Sequence, residues 1–330
     1  MGRTALSALA ALACSVLAMP GHAADAVPLR LEAKIALGNV SGRIDHMAVD
    51  LARRRLFVAE LGNDTVGVVD LGAGTVIHRI TGLKEPQGVG YLPASDTLYV
   101  ANARDGSVPI FQGANLAPSG LIRLGNDADN IRVDAAANRV FIGHSDGALA
   151  IIDPSNQSKI ADIALTAHPE SFQLEPAGKR IFVNLPDARQ IAVIDRAAGK
   201  VTAIIPTKEL RSNFPMAIDA ARGNFLVAFR RPARLAAFSL ADLGLRASAE
   251  SCGDADDVFV DQKRGRIYVS CGEGFIDVFE PRQDGYVRIA QVPTASGART
   301  ALFVPELDRL FLAVRASGDE PAAIWVFAPP

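Results

Sequence analysis

Apolar residues in this chain fall in short runs, separated by turns rich in Gly, Asn, Asp and charged side chains. Beyond the N-terminal segment no window sustains the 3.6-residue spacing of an amphipathic helix. The runs themselves recur. Taking the middle residue of Leu56-Phe57-Val58 as an anchor, its counterparts are Tyr99, Phe141, Phe182, Leu226, Tyr268 and Phe311, at spacings of 42, 42, 41, 44, 42 and 43. Such a period is the mark of a repeat architecture.

Each of the seven units repeats one strand grammar. A run ending in an acidic or turn residue comes first (HMAVD 46–50, NIRVD 130–134, DVFVD 257–261), followed by a polar turn and the anchor strand. An alternating strand follows (TVGVVD 65–70, ALAIID 148–153, QIAVID 190–195), and in most units a fourth run such as TVIHRI 75–80. β-branched and aromatic residues at period two, with turn signals every 8–12 residues, predict four short antiparallel strands per unit. Four strands per ~42 residues is the pattern of a propeller blade. The last unit ends after IWVF 324–327 without a fourth strand, and LRLEAKIAL 29–37 precedes the first unit without a partner. The expectation is an all-β, seven-bladed β-propeller occupying 24–330 as a single domain, with the N-terminal strand completing the last blade.

The segments LFVAELGNDTVGVVDLGAGTVIHRI (56–80) and IFVNLPDARQIAVIDRAAGKVTAII (181–205) resemble the YVTN-type repeat of bacterial periplasmic and surface propellers, the YncE-like family. The resemblance spans 29–330. It departs at unit five, with Arg230-Arg231-Pro232 in the turn, and at unit seven, with RASGDEP. It implies an architecture rather than an activity, since similar chains include binding modules, cofactor-associated domains and some enzymes.

The first 23 residues change the setting. Arg3, an apolar stretch from Ala5 to Ala18, the Pro20-Gly21 breaker and the small residues Gly21 and Ala23 read as a secretory signal peptide. The stretch is shorter than the ~20 apolar residues of a membrane span, and no later segment sustains one. Periplasmic or secreted localisation, and a monomer, are expected. Of the three cysteines, Cys14 leaves with the leader, and Cys252 and Cys271 form a candidate disulfide. The 34 Lys+Arg against 36 Asp+Glu give a net charge of −2, and removal of Arg3 makes it −3 (33 against 36). That balance lacks the basic excess of a nucleic-acid binder. The expected partners are a small polar ligand or a periplasmic protein.

In a propeller the loop leading into each innermost strand and the loop between the second and third strands open on one face, around the channel. Fourteen residues before the anchors stand Arg43, Glu85, Asp127, His168, Ser212, Asp254 and Gly297. Twelve before stand Asp45, Gln87, Asp129, Glu170, Phe214, Asp256 and Arg299, and eleven before stand His46, Gly88, Asn130, Ser171, Pro215, Asp257 and Thr300. The predicted ligand-binding residues are Arg43, Asp45, His46, Gln87, Asn130, Glu170, Asp257 and Arg299.

Blades three and six share the tetrads Asp127-Ala-Asp129-Asn130 and Asp254-Ala-Asp256-Asp257. The carboxylates of Asp127, Asp129, Asp254 and Asp256 suit a hard divalent cation such as calcium. The plainer reading is that they serve the loop's own backbone amides. His46, His144, His168 and Glu170, with Glu60 and Asp45 nearby, are candidates for acid and base groups of a lactonase-like hydrolase or lyase. Arg43, Arg230, Arg231, Arg234, Arg299 and Arg315 map to the same face and suit carboxylate or phosphate groups, or else pair with the acidic residues around them. No Ser nucleophile motif, Gly-rich phosphate loop or haem-attachment motif is present.

Overall fold

The structure is a computed structural model that describes residues 1–2 and 27–330. Nearly all of the proposed leader, 1–23, lies outside the described residues. Among the described residues twenty-eight strands form seven four-stranded sheets. Strand β1 (Arg30–Ala36) stands apart in sequence. Blade 1 follows with β2 (Met47–Asp50), β3 (Arg55–Glu60), β4 (Thr65–Asp70) and β5 (Thr75–Ile80). Blade 2 runs from β6 (Pro86–Leu92) to β9 (Ala117–Arg123), blade 3 from β10 (Ile131–Asp134) to β13 (Ser158–Ala164), and blade 4 from β14 (Ser171–Leu174) to β17 (Lys200–Pro206). Blade 5 spans β18 (Arg211–Asp219) to β21 (Leu245–Glu250) and blade 6 spans β22 (Ala255–Asp261) to β25 (Gly285–Pro293). Blade 7 has β26 (Ala301–Val304), β27 (Arg309–Val314) and β28 (Ala323–Ala328), with β1 paired to β28 as its outer strand. All strand pairs are antiparallel, and the chain is a seven-bladed β-propeller closed by its N-terminal strand.

Packing explains why the middle strands are apolar almost throughout. Leu56, Phe57, Val58 and Ala59 of β3 are all buried. Phe57 packs with Leu98 and Val100 of blade 2, whereas Leu56 and Val58 pack with Phe311 and Ile324 of blade 7. A strand flanked by blades on both sides buries both faces, so apolar side chains are needed on both. The same arrangement recurs as seven apolar clusters, one per blade interface. Arginines tie neighbouring blades at the rim: Arg53 reaches Asp96 at 2.6 Å, and Arg264 reaches Asp308 at 2.6 and 2.8 Å.

Cys252 and Cys271 are disulfide-bonded, with a sequence separation of 19. A regular hairpin pairing 257–261 with 266–270 around the QKRG turn predicts Asp256 opposite Cys271; instead Ala255 is, because a bulge between Ala255 and Asp257 takes up one residue. The bridge ties the loop leading into β22 to the end of β23 (Arg266–Cys271). Constraining a loop of this length in the unfolded chain is worth about 3 kcal/mol. Replacing both cysteines by alanine is therefore expected to lower the free energy of unfolding by that amount, read by urea denaturation under non-reducing conditions.

Candidate functional site

Each loop leading into an innermost strand is built from two local devices. The residue fourteen before the anchor adopts left-handed backbone in five blades, with φ of 54° at Glu85, 44° at Asp127, 56° at Ser212, 59° at Asp254 and 79° at Gly297. Asp, Ser and Gly are suited to turns, and Asp and Gly tolerate this conformation better than most residues. Much of the polarity at this position is turn chemistry. A bulge follows. In blade 3 Asp129 N donates to Gly143 O at 2.9 Å while Gly143 N donates to Asn130 O at 3.0 Å. In blade 1 Asp45 N donates to Ala59 O and Ala59 N donates to His46 O. Two residues thus oppose one, and shifts of the same kind occur at Pro86/Gly88, Asn213/Met216 and Ala255/Asp257. Bulges re-aim side chains at the rims of closed sheets. Here they present successive residues at the channel mouth.

The charges at the mouth divide into three groups. On one side Arg230 and Arg299 grip Asp254 and Asp256: Arg299 Nη1 lies 2.7 Å from Asp254 and Nε lies 3.1 Å from Asp256. Arg230 pairs with both and sits 3.5 Å over the Phe214 ring. On a second side Arg43 lies 2.7 Å from the buried Asp45 carboxylate, with His46 Nε2 at 3.7 Å. Arg43 Nη2 also donates to Gln87 Oε1 at 3.5 Å. On the third, His168 Nδ1 is 2.7 Å from Ser145 O and 3.6 Å from Asp127, and Nε2 is 3.9 Å from Asp129.

Burial opposes charge on His168, but the Asp129 contact, the Ser145 carbonyl and Asp127 outweigh it and push its pKa to about 9. Burial likewise works against a charged His46, yet Asp45, Asp257 and Asp129 raise it. The Asp45 carboxyl is raised, chiefly by burial. Asp257 accepts from Ala301 N at 2.8 Å, and burial lifts it to about 7 in spite of His46 and Arg132. Glu170 is lifted to about 8 by burial and by the nearby Asp129 and Asp256, against the pull of His168 and Arg230.

His46, Asn130, Glu170 and Asp257 line one cavity with Arg132, Gln173, Phe214 and Phe259. Its volume, about 40 Å³, has room for roughly three waters at the 10–15 Å³ each requires. Asn130 Nδ2 donates to Glu170 O at 2.6 Å, which fixes the amide and leaves its buried Oδ1 without a donor. Among the described residues the Glu170 carboxylate has no hydrogen-bond or ion-pair partner.

Four other expectations come out differently in place. His144, the last residue of β11 (Arg139–His144), is buried within blade 3, its Nε2 3.0 Å from Asp162 on the outermost strand, so it does not face the mouth. Glu60 is fully buried and held by Arg79 at 2.7 and 2.9 Å. Arg234 bonds Ser248 across its own blade. Among the described residues no three of His, Cys, Asp and Glu are grouped to hold a metal ion, and the Asp254 and Asp256 carboxylates are engaged by arginines.

Sequence reasoning passed over Arg132, Gln173 and Phe259. They lie directly opposite the anchors Phe141, Phe182 and Tyr268 in the ladder. Because side chains alternate along a strand, these residues share the channel face with Asn130, Ser171 and Asp257 two positions earlier. Reading the innermost strands at period two would have found them.

No family model matches this chain, and no curated protein matches it. Solved structures of similar shape are propellers. Hydrazine synthase of Kuenenia stuttgartiensis aligns with a TM-score of 0.72 at 16% identity, over 85% of this chain and 98% of that one. A chain of the mitotic checkpoint complex aligns at 0.78 and 11%, over 97% and 98%, and the RRP9 WD40 repeats at 0.77 and 9%, over 92% and 98%. At such identities the likeness is one of fold.

Proposed function

We propose that this chain is an exported propeller of the YVTN repeat type whose channel mouth binds a small polar ligand, with no chemistry of its own. The signal-like 1–23 segment and the Cys252–Cys271 disulfide support export to an oxidising compartment. The repeat residues quoted above support the family. One observation carries the binding site: the buried Asn130 Oδ1 and the unpaired Glu170 carboxylate line the same cavity. Leaving a buried acceptor unsatisfied costs about 1–3 kcal/mol, so such a group stands where something else satisfies it. A cavity this narrow takes a small molecule or one protruding group rather than a broad protein surface. The hydrolase reading keeps only His46 and Glu170 facing the cavity, because His144 is turned into its blade and His168 is held by the Ser145 carbonyl.

The test is a thermal-melt panel of small polyols, amines, carboxylates and amino acids at millimolar concentration. At least one class is expected to raise the melting temperature of the wild type by several degrees and to leave Asn130→Leu unmoved. A panel without effect, or one acting equally on both proteins, overturns the reading.

A further inference from the structure

The cavity is lined by a guanidinium and a carboxyl group, neither of which is in an ion pair among the described residues. Arg132, on innermost strand β10, donates from Nη1 to the carbonyl of its neighbour Ile131 at 2.9 Å, and its guanidinium lies 5.5 Å from the Phe172 ring centre. Among the described residues no carboxylate oxygen comes within 4.0 Å of it. Glu170, on the adjoining blade, is equally unpaired, and the two do not pair with each other although both line the cavity. The remaining charges there are already engaged. Asp256 belongs to Arg230 and Arg299, and Asp257 is bonded by Ala301 N and feels His46 more strongly than it does Arg132, which makes no ion pair with it.

We propose that the mouth receives the head of a small zwitterion, its carboxylate met by Arg132 and its ammonium by Glu170 and the Asn130 amide oxygen. This rests on the reading of the mouth as a ligand site. A simple cation would leave Arg132 without an anion, and a simple anion would leave the Glu170 carboxyl and the Asn130 amide oxygen without a donor. A polyol would leave the Arg132 charge unpaired, and charges withdrawn from water are expensive unless paired. Guanidinium and carboxylate are matched for bidentate hydrogen bonding. Room for roughly three waters admits an amino-carboxylate head of about glycine size, with any longer substituent emerging at the mouth.

Calorimetric titration with glycine, β-alanine, methylamine, acetate and glycerol tests this. Glycine or β-alanine is expected to bind at least tenfold more tightly than methylamine or acetate. Arg132→Met should lower that affinity at least tenfold, Arg132→Lys should restore part of it, and Glu170→Gln should lower it comparably; folding of each variant is checked by its melt. Binding of methylamine or acetate as tight as that of glycine, or unchanged zwitterion affinity in folded Arg132→Met, overturns the proposal. Binding of glycerol alone would do the same while leaving the mouth a ligand site. If none of the five binds and the wider panel is also silent, both readings fall.

Discussion

Replacing Glu170 by Gln is expected to make the protein more stable at pH 8, by on the order of 4 kcal/mol, and to flatten its pH dependence. The carboxyl titrates near 4.5 in the unfolded chain and at about 8 in the folded one, chiefly because burial disfavours its charge. Between those values the native state binds the extra proton. Stability therefore falls as pH rises through this window, and the loss is complete above about 8. Asp257, lifted to about 7, adds to the same slope. So does His168: its raised pKa of about 9 gives stability that is full below about 6.5 and lost as pH climbs toward 9. In the opposite direction, Asp96 and Asp153 have lowered values through hydrogen bonds and lose their contribution on acidification. Stability is therefore expected to peak near pH 5 and decline toward pH 8, measured by urea denaturation across that range. A Glu170→Gln curve parallel to that of the wild type would show that the carboxyl is ionised at no cost.

Deleting residues 27–37 is expected to abolish the folded monomer. Leu29, Ile35 and Leu37 are buried at 1%, 6% and 1% exposure, and β1 pairs along β28 from Ala36↔Ala323 to Arg30↔Ala328. Three such side chains contribute about 1.5–3 kcal/mol each, comparable in sum with the ~5–15 kcal/mol stability of a whole protein. Deletion also bares the edge of β28, a template for pairing with another chain. Size-exclusion chromatography and circular dichroism should show oligomer or unfolded chain, whereas moving 27–37 to follow Pro330 through a short linker should restore a monomer. A deleted protein that remains a stable monomer would mean that the ring does not depend on this strand.

The architecture was legible because it is written seven times. The anchor period, the four runs per unit and the unpaired LRLEAKIAL segment each follow from the alternation of strand and turn, and repetition averages out local departures such as Arg230-Arg231-Pro232. The mouth was legible in part. His46, Asn130, Glu170 and Asp257 were found because the bulged loops keep a fixed distance from the anchors. His144 misled because a strand end and a loop start look alike in sequence, and whether it turns outward or into its blade depends on Asp162 eighteen residues later. Asp127 and Asp254 drew attention as carboxylates, yet their left-handed backbone is reason enough for an Asp there. Arg132, central to the zwitterion proposal, lay within a run read only as a strand.

The claim that the cavity's unpaired groups serve a ligand rather than the fold is tested most directly by Arg132→Met in ligand-free protein at pH 7. If the guanidinium waits for a ligand, removing a half-buried, unpaired charge leaves the free energy of unfolding equal to or above that of the wild type, while the thermal response to the effective panel compound disappears. A loss of about 2 kcal/mol or more, with that thermal response retained, would place Arg132 among the structural residues and contradict the account.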